Sequence, residues 1–324
     1  MPAATAPVGV EAARADGSKS TRARGGQHGR EDRVARLLTL ESTASAADPC
    51  PQIPESFVDP TRIVKLAREL KPVPGGAAAV ADAPDGEPAA PAALPESATY
   101  TPPAVVERRV AASRENWWDF GPHVAQAARR LGLLEAPRKA FVGDGAENNW
   151  TLPQRFFGSV VAILDFIHAL SYVLAAALAG RPFAAGWPIH VRWIGWVWEG
   201  HVERMIAELA QRQAELGTPA KGESETSPRS MVSQALTYLQ NHKDKMRYDT
   251  YRCAGLPITS SLMESLRKQI NQRVKGTEKF WIEEGAEAVL QRRADVLSDD
   301  QPLAAFWQRR QDRQTGQRPY QMAA

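Results

Sequence analysis

The sequence predicts a mixed α/β fold: a sheet whose strands end on carboxylates, joined to a long all-helical segment. Short apolar runs alternate with helix-period segments between Val105 and Ala179. Two of those runs, AFVG and VVAIL in KAFVGDGAENNWTLPQRFFGSVVAILDFIHAL (139–170), stop on an aspartate, Asp144 and Asp165. Beyond Gly180 the strand signal disappears and helical spacing takes over. Apolar runs of about four to eight residues bounded by turn formers suit buried strands, so both carboxylates should stand where a strand leaves the core.

Taken in order, residues 1–30 are rich in Ala, Gly, Arg and Ser without periodicity, and predict a poorly ordered N-terminus. Residues 31–71 form the first part of the core, with RVARLLTL (33–40) as a strand and Thr61 to Leu70 as a short helix. Residues 72–103 are a Pro- and Ala-rich tract that cannot bury a core face, hence a linker. The main α/β unit occupies 104–180. It should contain a strand at VVERRVAAS (105–113), a helix over Trp117 to Leu133, a strand over Ala140 to Gly143 and a helix near Trp150 to Phe157. A strand over Val160 to Leu164 and a helix over Phe166 to Ala179 complete it. Such alternation implies parallel neighbours in a covered sheet, with functional residues at the carboxyl ends of the strands. Residues 181–243 form a helical insertion and 244–310 a C-terminal helical part, with helices at Trp198 to Leu216, Ser230 to His242, Ser260 to Val274 and Trp281 to Leu297. Residues 311–324 are a tail.

The formal charge of +3 hides a local excess: Pro228 to Phe280 carries ten Lys and Arg against four Asp and Glu. A tract of this kind suits a phosphate backbone, although a solvated face reads the same way. The two cysteines, Cys50 and Cys253, lie far apart and lack metal-ligand spacing, which points to a reducing cytoplasm. Val160 to Ala179 is long and apolar but contains Asp165, His168 and Ser171, so a strand with a buried helix fits better than a membrane span. No secretory signal is expected at the N-terminus.

Each candidate residue has a plain reading beside a chemical one. Asp144, before Gly145, suits a turn, and Asp165 suits the N-cap of the helix that begins at Phe166, with His168 in its first turn. Glu264 points about 200° around its helix from Leu262, away from the stripe Leu262, Leu266 and Ile270, and could simply pair with Lys268. Together, Asp144 and Glu264 offer the oxygen ligands that hard divalent metals need for phosphoryl transfer. The tryptophans at 187, 193, 196 and 198 suit a helical core better than a base-stacking platform, and His190 and His201 suit structural places.

KAFVGDGAENNW, then VVAILDFIHAL, then LQNHKDKMRYDTYRCAGLPITSSLMESLRKQINQRVKGTEKFW resemble the DDE transposases of bacterial insertion sequences, in the Kra-type group of the Mutator-like assemblage. The resemblance covers about residues 30 to 310. It implies a ribonuclease H-like sheet domain with a large all-helical insertion before the third acid, and 120 residues separate Asp144 from Glu264. On this likeness Asp144 matches the second catalytic aspartate and Glu264 the glutamate, both as ligands of Mg²⁺ or Mn²⁺. Asp165 and His168 match the Asp-x-x-His pair, which is characteristic of the family but outside the metal triad. The nearest match to the first aspartate is Asp16, in Asp16-Gly17 before Thr21-Arg22, yet ATAPVGVEAARA reads as a poor strand. The resemblance therefore implies an N-terminally truncated or impaired transposase that cuts and joins DNA at insertion-sequence ends. The alternative is an inactive remnant that binds DNA or transposase. Implied partners are DNA and further copies of the chain, with no membrane and a cytoplasmic, nucleoid-associated location. Arg247, Arg252, Arg267 and Lys268 are the phosphate-contact candidates.

Overall fold

The computed structural model describes residues 8–15, 32–69, 100–260 and 282–314, together with Leu266, Gln269, Ile270, Arg273 and Val274. Five strands form one mixed sheet: β1 (Val8–Ala15), β2 (Asp32–Glu41), β3 (Ala104–Ser113), β4 (Lys139–Gly143) and β5 (Val161–Leu164), in the order β3-β2-β1-β4-β5. The chain is thus a mixed α/β protein, as the alternation predicts.

Two expectations are corrected. Val8–Ala15, within a segment expected to lack order, is the central strand. It pairs antiparallel with β2 from Val8↔Thr39 to Ala15↔Asp32, and parallel with β4 up to Ala12↔Gly143. VGVEAARA has weak β-propensity, but a ladder on each side supplies what the side chains do not, because strand preference is set by neighbours more than by the residue. Nor is every neighbour parallel. Only β1, β4 and β5 run together, while β2 and β3 pair antiparallel with Glu41 opposite Ala104. The long excursion over 42–103 therefore leaves and re-enters the sheet at one edge, as an antiparallel pair requires. In consequence β1, β3, β4 and β5 all end at the other edge.

Ten helices are described: α1 (Pro60–Glu69), α2 (Trp117–Arg130), α3 (Glu147–Leu152), α4 (Phe166–Leu178), α5 (Phe183–Trp198), α6 (Val202–Leu216), α7 (Pro228–His242), α8 (Tyr248–Cys253), α9 (Glu283–Val296) and α10 (Pro302–Gln314). Helix α5 ends at Trp198, where the sequence suggested a helix would begin. Its tryptophans and valines surround the axis without a clean polar face, so the 3.6-residue period is weak there. Trp193 and Trp198 are buried and Trp187 and Trp196 pack against the same core, as expected of core residues. His190 is fully buried against Trp187, and burial pushes its pKa down to about 3.

Both sheet faces are covered. Successive residues of β2 point to opposite sides. Ala35 and Leu37 join the larger cluster with Phe120, Phe141, Ile163 and the nearly all-buried α4. Val34 joins Val110, Ala112, Leu266, Ile270, Val274 and Leu290 on the other side. The stripe read from Leu266 and Ile270 is therefore a core face. Both cysteines are free thiols. Among the described residues no helix is long and apolar enough to cross a membrane.

Candidate active site

Asp144 follows the last residue of β4, and Asp165 the last residue of β5. Because Gly143 pairs with Leu164, the two aspartates leave neighbouring strands at the same level, and the Asp165 amide donates to the Gly143 carbonyl at 2.8 Å. The similar sequence events have different outcomes. Asp144 is partly exposed. Its Oδ1 accepts from the Ala146 amide at 3.0 Å and from Asn149 Nδ2 at 2.7 Å, a turn-forming use of one oxygen. Its Oδ2 has no hydrogen-bond partner among the described residues. Asn149, 1% exposed on α3, thus orients the carboxylate from behind.

Asp165, 2% exposed, is the N-cap of α4 and accepts from the Ile167 amide at 2.8 Å. Its other oxygen faces His168 Nδ1 at 3.6 Å and accepts from the Ser260 amide at 3.1 Å and from the Ser260 hydroxyl. The Phe166 amide donates to the Ile258 carbonyl at 2.9 Å. The Asp-x-x-His corner therefore fastens the GLPITS segment beside the carboxyl ends of β4 and β5. Burial alone would raise the Asp165 pKa. The His168 imidazole close by and the hydrogen bonds from Ser260 and Ile167 outweigh that and hold it below the usual carboxylate range.

The helical insertion reaches the same place. Tyr238 on α7 donates to the Asp144 carbonyl at 2.7 Å and lies flat on Tyr172 of α4, with ring centroids 3.7 Å apart. Gly145 has φ +85°, and a Cβ there would sit 2.4 Å from the Tyr238 hydroxyl, so glycine is required for both reasons. Tyr248 donates to the Leu164 carbonyl at 2.9 Å, which ties α8 to the end of β5. Sequence reasoning missed Asn149, Tyr238 and Tyr248. The only signal for Asn149 and Tyr248 is their place in the quoted GDGAENNW and MRYDTYR blocks, and Tyr238 gives none.

Of the residues expected at the site, Asp144, Asp165 and His168 are brought to one edge of the sheet. Asp16, Glu264, Arg267 and Lys268 lie outside the described residues. Arg247 is exposed, 3.4 Å from Glu203. Arg252 is corrected. Its side chain is fully buried, paired with Asp48, bonded to the Trp198 carbonyl at 2.9 Å and stacked 4.0 Å over the Trp198 ring, so it holds the core and cannot meet a phosphate.

Asp144 fits one hard divalent ion as a single oxygen ligand, with Oδ1 steered by Asn149 and Oδ2 left for coordination. Among the described residues no group of three His, Cys, Asp or Glu side chains could hold a metal. No protein-family model, curated protein or solved structure matches this chain.

Proposed function

We propose that the chain is a DDE-type DNA transposase with a ribonuclease H-like core, cutting and joining DNA strands by phosphoryl transfer at a site built on Asp144. One observation carries this reading: β1 and β4 are parallel neighbours. By the register Ala12↔Gly143, Asp144 stands level with Ala13 and Asp16 comes three residues later in the chain, so the sequence supplies a carboxylate shortly after the end of each of two adjacent strands. Ser260, fastened to Asp165, stands four residues before Glu264, a tether of at most about 14 Å. Strands β4 and β5 lie only about 4.8 Å apart, so that tether permits the third acid to approach Asp144.

Divalent metal bound by these acids would supply activation of the attacking oxygen and charge stabilisation at the leaving one. The protein's part is positioning. Asn149 and the Ala146 amide fix Asp144, Tyr238 fixes its backbone, and the Asp165 corner fixes the segment leading to Glu264. The surface basic residues of 228–280 would hold the DNA backbone without reading sequence.

The test is Mg²⁺-dependent nicking of a DNA that carries the element's ends. The chain is expected to nick, and Asp144→Asn to lose the activity. Absence of nicking by the unaltered chain, or nicking indifferent to Asp144→Asn, would overturn the proposal.

A further inference from the structure

Strand β3 is an edge of the sheet, and its outer side is capped in two places. The Asp299 amide donates to the Arg108 carbonyl at 2.8 Å and the Arg108 amide donates to the Asp299 carboxylate at 2.9 Å, so Asp299 stands where a residue of a neighbouring strand would. Next to it the Val110 amide donates to the Ser298 hydroxyl at 3.0 Å, and past the strand's end the Arg114 amide donates to Glu287 at 2.7 Å. Between these caps the edge is open. In an antiparallel ladder the amide and carbonyl of one residue point to the same side, and the side alternates along the strand. Arg108 and Val110 face outward, so Ala112 does too. Its amide and carbonyl, and the Val110 carbonyl, have no hydrogen-bond partner among the described residues. Ala112 is 5% exposed, and backbone groups left unpaired at that depth are uncommon.

The open stretch lines a cavity of ≈ 240 Å³ whose walls are α2 and α9. Its charged groups are Arg109, Arg130, Asp295 and, when protonated, His123. Arg109 is bonded to Asp300 and is also the cation that offsets the effect of burial on Asp295, while His123 lies 3.4 Å from Glu115. Arg130 alone has no carboxylate partner among the described residues. Its charge is felt by Arg109, which sets the last turn of α2 at the end of the cavity that Ser298, Asp299 and Asp300 close.

We infer that this groove binds the carboxyl-terminal end of an extended peptide, paired antiparallel with Val110 and Ala112 and with its terminal carboxylate on Arg130. Both halves of the inference follow from the cavity. Ser298 and Asp299 already hold the edge at Val110 and Arg108, so an added strand must stop there, and an amino end would bring like charge to Arg130. From Val110 to Ala112 is about 6.8 Å of strand, which about three peptide residues match. Ladder hydrogen bonds give such a strand its affinity and side-chain pockets its selectivity. Neither DNA nor the strand-end acids take part in this site.

The experiment follows the Ala112 amide by nuclear magnetic resonance in the full chain, labelled selectively at alanine nitrogen and assigned by the loss of one signal in Ala112→Gly. The probe is a pool of amino-acetylated tripeptides of mixed sequence with free carboxyl ends, compared with the same pool amidated. The free acids should move the Ala112 signal, and the amides should need about tenfold more peptide to do so. Arg130→Gln, a change at the surface, should leave the spectrum of the free protein intact and abolish the preference for the acid. An Ala112 signal unmoved by the free acids at millimolar concentration would overturn the inference. Equal shifts with acids and amides, or shifts only with peptides that carry a free amino end and an amidated carboxyl end, would overturn it as well.

Discussion

The phenol of Tyr238 donates a 2.7 Å hydrogen bond to the backbone carbonyl of Asp144, and this one contact ties the helical insertion to the carboxyl end of β4. Tyr238→Phe keeps the stack on Tyr172 and removes only that bond, so the expected loss is about 1 kcal/mol in urea unfolding. Gly145→Ala should cost more. It combines a strained positive φ with a Cβ placed 2.4 Å from the same hydroxyl, and the added loss should vanish partly in a Gly145→Ala/Tyr238→Phe double variant.

Arg252 is a core residue, and its replacement should be felt in stability. Removing its side chain leaves the Asp48 carboxylate without its guanidinium and the Trp198 carbonyl without its donor, so Arg252→Ala should destabilise by about 3–5 kcal/mol in chemical denaturation. Arg252→Lys should recover only part of this, because an ammonium cannot bridge Asp48 through two nitrogens while lying flat on an indole.

What the sequence reveals and what it conceals divide along physical lines. Strands β4 and β5 were legible because an apolar run ending on Asp is a local signal, and the Leu266 and Ile270 stripe because helical period is local too. Strand β1 was not, since VGVEAARA acquires its state from two neighbours that lie far along the chain. The placement of Arg252 depends on Asp48, 204 positions away, which no local pattern announces. Asp144 and Asp165 look alike in sequence, and only the docking of Ser260 separates the buried fastener from the half-exposed carboxylate.

Acid should act through the fasteners. Asp165 and Asp48 both have pKa values held below the usual carboxylate range, against the raising effect of burial, by the nearby His168 and the bonds from Ser260 in one case and by bonds from Arg252 in the other. A depressed folded-state pKa contributes stability that is complete above the unfolded value of about 3.9 and is lost as pH falls through the lower folded value. Stability should therefore decline below about pH 4. Asp165→Ala should cost about 1–2 kcal/mol at neutral pH as a lost cap, and should show a shallower acid decline. Melting curves from pH 2 to 7 would check it; parallel profiles for the two proteins would contradict it.

If the chain holds DNA as proposed, affinity should be salt-dependent and largely indifferent to sequence, because exposed cations of the 228–280 tract such as Lys243 and Arg247 would meet phosphates. Each neutralised phosphate contributes about −0.9 to the slope of log affinity against log salt. Arg247→Ala should lower the slope by about one phosphate, after allowance for the partner Glu203, while Arg252→Lys should leave it unchanged if the protein folds. Affinity that is flat between low and moderate salt would remove the tract as a DNA surface.

The last prediction concerns Asp16. Read from the sequence, its segment was a poor strand and the first acid in doubt, yet Val8–Ala15 is the sheet's centre and runs parallel to β4. Asp16 follows the end of that strand. If it supplies the first carboxylate, Asp16→Asn should reduce Mg²⁺-dependent nicking as severely as Asp144→Asn and Glu264→Gln, by on the order of a hundredfold or more. Loss of one ligand shifts the metal and its charge relative to the transition state, and about 1 Å of misplacement already costs that much. Each variant should keep its duplex affinity, since on the proposed function the acids would position metal and the basic tract would position DNA. Combining two of the three should add little, because ligands of one site act as a unit. Nicking that survives Asp16→Asn but not Asp144→Asn would mean that β1 fills the sheet without contributing to the chemistry, and the first acid would have to be sought elsewhere.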